Sequence, residues 1–392
     1  GYNTDHARFF GFVPGPVNAV SWLGDMMASG YNRHAGSYAC YPAGCIAEHE
    51  LLAWLCDKAG FPEGSGGVFV SDGSMANMTA LAARDNELAP EDWCRGVAYV
   101  SEQTHSSVAK GMHIVGIAPK NIRTIPCHDD FTMDVDALEC AIEQDRERDL
   151  IPFAVVATAG STNTGTVDPL RDIARVAREH DLWMHVDGAI GASVLITKHR
   201  DLLDGVELAD SLSWDAHKWL FQTYSCGIIL VRDARTLTAS FSTHPEYLKD
   251  LEDGARITNP WDMGPELTRP ARGLKLWFTL QVMGSDALSA GVEHGFELAQ
   301  WAQDEMLKDP LIEIVSPAQM AMINFRFSPE GMDEAEKDAL NARISQRMID
   351  SGYAGVFTTE LNGHKVLRIC AIHPQASEQD MRQTVQRLGS IC

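Results

Sequence analysis

Long hydrophobic runs are missing from this 392-residue chain. The apolar stretch Ile228–Val231, among the longest, falls far short of the roughly 20 residues needed to cross a bilayer, so no membrane partner is expected. Positive charge is scarce: 32 Lys and Arg stand against 54 Asp and Glu, a formal net charge of −22. That balance argues against a nucleic-acid partner, because the phosphate backbone is met by clustered Lys and Arg. The opening GYNTDHARFF has no basic segment leading into an apolar one, so no signal peptide is visible there. It also lacks Met, and residues upstream are expected. The nine cysteines include no Cys-x-x-Cys pair and are odd in number, which points away from a disulfide framework and toward free thiols in a reducing cytoplasm. None of the 14 histidines falls in a His-Glu-x-x-His or finger spacing, so no metal site is expected. Internal repeats, low-complexity tracts and long Ser/Gly linkers are absent too.

What is present is the profile of a soluble globular enzyme, with 45% hydrophobic and 22% charged residues. From about Val68 to Val231, short β-rich runs alternate with amphipathic helical patterns. Strands are predicted at Val97–Val100, Arg123–Pro126, Phe153–Thr158, Trp183–Asp187, Ser211–Ser213 and Gly227–Val231. Helices are predicted at Asp134–Glu147 and at Pro169–His180, the latter with Ile173, Val176 and Ala177 on one face. Strands spaced by helices of this length indicate βαβ units and a mostly parallel, buried central sheet with helices on both faces: an α/β fold. A long helix around Gly273–Val282 precedes a change of character. Beyond it, strands at Met320–Phe327, Gly355–Thr359 and Val366–Ile372 and helices near Asp333–Asp350 and Ser377–Leu388 form a smaller α+β domain. The expected division is a large domain over 61–282 and a small one over 283–392.

Four segments carry candidate chemistry. In Asp215-Ala216-His217-Lys218-Trp219, a lysine follows a strand in an otherwise small or apolar run. Burial there destabilises the ammonium and favours an imine-forming amine, although a snorkelling surface lysine satisfies the same pattern. In Trp183-Met184-His185-Val186-Asp187-Gly188-Ala189, a carboxylate ends a hydrophobic strand, at the edge where parallel sheets bind ligands. Such an Asp needs a cationic partner, either structural or a protonated ring nitrogen. In Val70-Ser71-Asp72-Gly73-Ser74-Met75-Ala76-Asn77, a strand turns through Gly and Ser into a helix, which makes either an anion seat or a plain N-cap. In Ser101-Glu102-Gln103-Thr104-His105, a flat imidazole stands just past another strand. An amine, a carboxylate, a phosphate seat and a stacking ring are together what pyridoxal phosphate asks of a protein.

The order and wording of these segments resemble the group II pyridoxal-phosphate-dependent decarboxylases, the family of aromatic-L-amino-acid decarboxylase. The matching runs extend from HARFFGFVPG through SDGSMAN, QTHSSVAKG, ATAGSTNTG, WMHVDGA, ADSLSWDAHKWL, HPEYLKDLE and TRPARGLKLW to LRICAIHP, nearly the whole chain. Within the family, FVPGP, SMAN, DAHKWLFQTY and ELTRPARGLKLW are most similar to bacterial tryptophan decarboxylases. The resemblance implies a fold-type I homodimer in the cytoplasm, with residues 1–60 contributing to pocket and dimer. It implies that Lys218 carries the cofactor covalently, that Asp187 pairs with its ring nitrogen, and that His105 stacks on the ring. By the same resemblance Thr158 and Ala189 contact the ring, while Gly73, Ser74 and His217 hold the phosphate. Tyr247, on a charged and turn-rich stretch from His244 to Gly264, is implied as the acid that protonates Cα. Relatives that deaminate oxidatively tend to replace this Tyr or the stacking His, and both stand here.

The implied substrate pocket is Phe12, His34, Leu251, Trp261 and Leu267, an apolar aromatic slot suited to L-tryptophan, with tryptamine and CO2 as products. Decarboxylation of L-phenylalanine, L-tyrosine or another amino acid is the alternative, and a non-catalytic cofactor-binding homologue is a further one. Two positions depart from the family. Ile190 stands where many members carry Tyr. Asp72 stands where Gly or a small residue is usual, and it either weakens the phosphate seat or caps the following helix. The resemblance also implies a longer N-terminal helical segment ahead of residue 1.

Overall fold

The computed structural model describes residues 1–13, 15–85, 88–243 and 257–391. By contacts the chain divides into two compact units, one of Val17–Ala159 and Val167–Ser285, the other of Gly1–Pro16, Gly160–Thr166 and Asp286–Cys392. The division falls inside the long helix Leu274–Met306, whose run of helical dihedrals is interrupted at Gly284 (φ 78°, ψ 166°), a conformation that favours glycine.

The larger unit opens with helices α1 (Ala19–Tyr31) and α2 (Pro42–Ala59). It continues through β1 (Gly66–Val70), α3 (Gly73–Asp85), β2 (Gly96–Ser101), α4 (Ser106–Ile114), β3 (Ile122–Ile125), α5 (Val135–Glu147) and β4 (Ile151–Thr158). After the chain returns from the smaller unit come α6 (Leu170–Glu179), β5 (Trp183–Asp187), β6 (Ser211–Asp215) and β7 (Gly227–Val231). These form a seven-stranded sheet in the order β1-β7-β6-β5-β4-β2-β3. Strands β2 to β6 run parallel, as the alternation of strands and helices predicts. β7 is antiparallel to both β6 and β1, a reversal that its uniformly apolar sequence does not reveal. Because two reversals restore direction, the carboxyl end of β1 lies on the same edge of the sheet as those of β2, β4, β5 and β6.

Local signals explain the elements. Asp134 caps α5 by accepting the N–H of Ala137 at 2.9 Å. On α6, Ile173, Val176 and Ala177 are buried, the face that the sequence periodicity marks. Ala76, Ala80 and Leu81 of α3 and Val108 and Met112 of α4 cluster with Val68, Val70, Ala98, Val100, Ala154 and Ile229 of the sheet. A buried ion pair ties α2 to β1. Arg269 donates to Glu48 at 2.9 Å and to the carbonyls of Phe69 (2.6 Å) and Ala35 (3.3 Å), while Glu48 accepts the N–H of Phe69 at 3.1 Å.

The smaller unit holds an antiparallel sheet in the order β10-β11-β9-β8, from β8 (Ile312–Gln319), β9 (Met322–Phe327), β10 (Phe357–Leu361) and β11 (His364–Cys370). Helix Glu334–Asp350 starts with a reciprocal capping box between Asp333 and Glu336. It packs with helix Glu378–Ile391 over a core that includes Phe325, Phe327, Ile344, Leu367, Met381 and Phe10. Among the described residues no helix is long and apolar enough to cross a membrane.

Arg269→Met leaves Glu48 buried with half of its partners gone. The substitution is expected to destabilise the fold by about 3–5 kcal/mol, read as a lowered midpoint in urea unfolding. An unchanged midpoint would show that water reaches Glu48 and compensates.

Candidate active site

Five chain segments meet at the carboxyl edge of the larger sheet. β5 ends in Asp187, which is 6% exposed. Its Oδ1 accepts the N–H of Ala189 and the hydroxyl of Ser213, both at 3.1 Å, and its Oδ2 accepts the amide of Asn77 at 3.0 Å. Buried carboxylates are stable only when met by donors in this way.

β6 ends in Asp215, and the turn that follows is fixed by Lys218 N–H to the Asp215 carbonyl (3.0 Å) and Ala216 N–H to the Cys226 carbonyl (2.9 Å). The amine of Lys218 lies 3.1 Å from Asp215 Oδ2. The lysine's setting is therefore a buried carboxylate rather than the apolar surroundings that the flanking residues suggest, since Asp215 turns inward with it. His217 is also buried, with Nε2 3.8 Å from Asp215 Oδ2 and the Tyr224 ring 5.1 Å away. Burial lowers the His217 pKa, only partly offset by Asp215, so its ring is neutral.

The turn after β1 brings Gly73 against this group. A Cβ on Gly73 would stand 2.7 Å from Asp215 Oδ2 and 3.1 Å from the Ala189 side chain, so only glycine leaves the space open. Asp72 caps the helix: its Oδ1 accepts the N–H of Met75 at 2.9 Å. The carboxylate is thereby engaged, and the first-turn N–H groups of Gly73 and Ser74 have no carbonyl within the helix to meet. Ile190, the other departure, is buried at 3%. At the end of β2, His105 is exposed, and its Nδ1 lies 2.8 Å from Ser107 Oγ.

Three buried polar atoms at this edge, Thr158 Oγ1, His217 Nδ1 and Asp215 Oδ1, have no hydrogen-bond partner among the described residues. Orphaned polar atoms, a primary amine, a donor-held carboxylate, a helix N-terminus and a space that a single methyl would fill fit pyridoxal phosphate, the cofactor that the sequence resemblance implies.

The expected substrate residues divide. His34 and Trp261 meet with ring centroids 5.6 Å apart, and a Cβ on Gly36 would touch both His34 and the Leu267 carbonyl, so His34, Trp261 and Leu267 are neighbours. Trp261 is 2% exposed and donates its indole N–H to Asp262 at 3.0 Å, so only a small part of its ring can face a ligand. Phe12 belongs to the smaller unit, where it stacks on Phe357 at 5.6 Å. Tyr247 and Leu251 lie outside the described residues.

Sequence reasoning missed Asn77, His185, Ser211 and Ser213. A signal was available: on the buried strands β5 and β6, His185 and Asp187 pair in register with Ser211 and Ser213, so polar residues repeat at period two on one face.

Residues 2–328 match the pyridoxal-dependent decarboxylase conserved domain. Over 392 residues the chain is 35% identical to the aromatic-L-amino-acid decarboxylase of Bacillus atrophaeus, covering 99% of this chain and 82% of that protein. It is 34% identical to tyrosine decarboxylase 4 of Petroselinum crispum, covering 92% and 75%. Among solved structures, a crystal structure of Oryza sativa TDC with PLP and tryptamine superposes with a TM-score of 0.94 at 31% identity, covering 99% of this chain and 84% of that one. The chain belongs to the group II pyridoxal-phosphate-dependent decarboxylases, the family of the aromatic amino acid decarboxylases, and is a carboxy-lyase whose cofactor is pyridoxal phosphate.

Proposed function

We propose that this protein decarboxylates L-tryptophan to tryptamine and CO2. The observation that carries the reaction is the convergence of Lys218, Asp215, Gly73 and Ala189 beside the donor-held Asp187. When bound, pyridoxal phosphate supplies the sink for the electron pair left at Cα as CO2 departs. Lys218 would hold the cofactor covalently through Nζ, and Asp187, its carboxylate already fixed by three donors, would pair with the ring nitrogen. His105 would cover the ring face, Thr158 and Ala189 would line it, and Gly73, Ser74 and His217 would seat the phosphate at the start of α3. Tyr247, in the role the resemblance implies, would deliver the proton to Cα from its Oη.

The preference for tryptophan rests on the grouping of His34, Trp261 and Leu267. An apolar slot rejects a substrate with a distal carboxylate but discriminates weakly among aromatic side chains. The relative from Oryza sativa bound to tryptamine supports the same choice.

The working form is a homodimer. Trp22, Leu23, Met26, Met27 and Tyr31 of α1 are all exposed on a single chain, an apolar face that a second copy would cover. The eight described cysteines are free, which suits a cytoplasmic setting.

Incubation with pyridoxal phosphate and the common L-amino acids, with amines read by mass spectrometry, should give tryptamine as the main product. Another aromatic amine would keep the reaction and overturn the pocket. Lys218→Ala should abolish the visible absorbance of covalently held cofactor, and its survival would remove the lysine from that role. Tyr247→Phe should lower amine formation by about 100-fold or more while the cofactor stays bound. Full tryptamine production would exclude Tyr247 as the acid. Met26→Glu should shift the mass in light scattering from dimer toward monomer; an unmoved dimer would place the interface elsewhere.

A further inference from the structure

We propose that Asn77 is the positioning residue that couples Asp187 to His105, as the branch point of a one-way chain of hydrogen bonds that begins at Trp183. Its chemical meaning rests on the site holding pyridoxal phosphate, whereas the wiring is read from hydrogen-bond geometry and the burial of His185.

The direction of the chain is set at its two ends. The Trp183 indole can only donate, and its Nε1 lies 2.8 Å from Ser211 Oγ. Ser211 still has its own O–H to give and lies 2.8 Å from His185 Nδ1. Because Asn77 turns its N–H to Asp187 and its Oδ1 to His185 Nε2, Nε2 is the donor and Nδ1 accepts from Ser211. His185 is fully buried, and burial pushes its pKa down to about 4, so the ring is neutral and carries one proton. With Nδ1 accepting, that proton is on Nε2, which donates to Asn77 Oδ1 at 2.9 Å. The two protons of the Asn77 amide then go to Asp187 Oδ2 at 3.0 Å and to Ser107 Oγ at 3.2 Å. A flipped amide would set its oxygen against the Asp187 carboxylate, which as an anion only accepts. Ser107, receiving from Asn77, donates its hydroxyl to His105 Nδ1 at 2.8 Å, and its backbone N–H points to the same atom at 3.3 Å.

Two consequences follow for the site. Asp187 is held by donors on both oxygens, so its orientation toward a ring nitrogen does not depend on the ligand. His105 has its Nδ1 lone pair occupied, so in its neutral form it carries the ring proton at Nε2. It enters the site as a donor able to meet a substrate carboxylate, and Nδ1 is not available there as a base. Both residues are thus set through Asn77 by Trp183 and His185.

The test uses protein labelled with 15N-histidine, because long-range 1H–15N correlations separate the two neutral tautomers. At about pH 8, where ordinary histidines are neutral, cofactor-free wild type should show both His185 and His105 as the Nε2–H form. Asn77→Asp places a pure acceptor at the branch point, so Ser107 turns its proton to it and His105 should move toward the Nδ1–H form. The same variant faces Asp187 with a like charge and should bind pyridoxal phosphate about tenfold or more weakly. Ser107→Ala cuts only the branch to His105. The backbone N–H stays on His105 Nδ1, so the Nε2–H form should lose part of its population and not all of it, while cofactor affinity stays within about twofold. Wild-type tautomer and affinity in folded Asn77→Asp would overturn the inference. If that variant fails to fold, an unchanged His105 pattern in Ser107→Ala overturns the coupling. Failure of wild type to bind pyridoxal phosphate would instead sink the cofactor reading and leave the tautomer result to decide the wiring.

Discussion

A carboxylate taken out of water must be met by donors, and the burial of Asp187 at the end of the central strand β5 is the constraint around which the site is built. Its donors come from separate elements: Asn77 from α3, Ser213 from β6 and Ala189 from its own turn. The contacts from Asn77 and Ser213 come from far along the chain, so β6 must lie beside β5 and α3 must be seated against that part of the sheet. The packing of Ala76, Ala80 and Leu81 against the sheet supplies the seat, and the small side chains let the helix approach closely. Core and site are thus one arrangement, with hydrophobic burial positioning the polar groups.

Two buried acid–base pairs in the larger unit illustrate different uses of charge. Arg269 and Glu48 are almost wholly enclosed, and carbonyls and an amide occupy most of their remaining hydrogen-bonding capacity. Both members of that pair are shut away from solvent, at 1% and 4% side-chain exposure. Lys218 and Asp215 are also close, but the lysine side chain is 18% exposed and Asp215 Oδ1 has no partner among the described residues. An incompletely satisfied pair at a sheet edge is poised for exchange of partners, as a site requires and a core does not.

Most of the fold was legible because hydrophobic periodicity survives in the sequence: Trp183–Asp187 and Gly227–Val231 are strands at those bounds, and α6 buries the face its spacing marks. Strand direction was not, because β7 is apolar on both faces whichever way it runs. β8 was missed because it is a half-exposed edge strand containing Pro317, which reads as a break. At the site, the turns around Gly73, Asp187 and Lys218 announced themselves by residue type. Asp215 did not, because its role depends on folding back over Lys218, and Asn77 did not, because one polar residue on a helix looks solvated until its neighbours are known. The ambiguity at Asp72 is resolved by a single contact, its capping bond to Met75.

The first residues of the chain complete the smaller unit. Phe10 donates its N–H to the Gly355 carbonyl at 2.9 Å and accepts from Cys370 at 3.0 Å, and its ring is part of that unit's core. A ribosome releases Gly1–Pro16 long before it makes β9 to β11. This segment, with its run of aromatic residues, must therefore wait unpaired while the larger unit is synthesised, and the closing contacts join segments far apart in the sequence. Assembly of the smaller unit is a late event, and until then its early aromatic segment needs shielding from other hydrophobic surfaces.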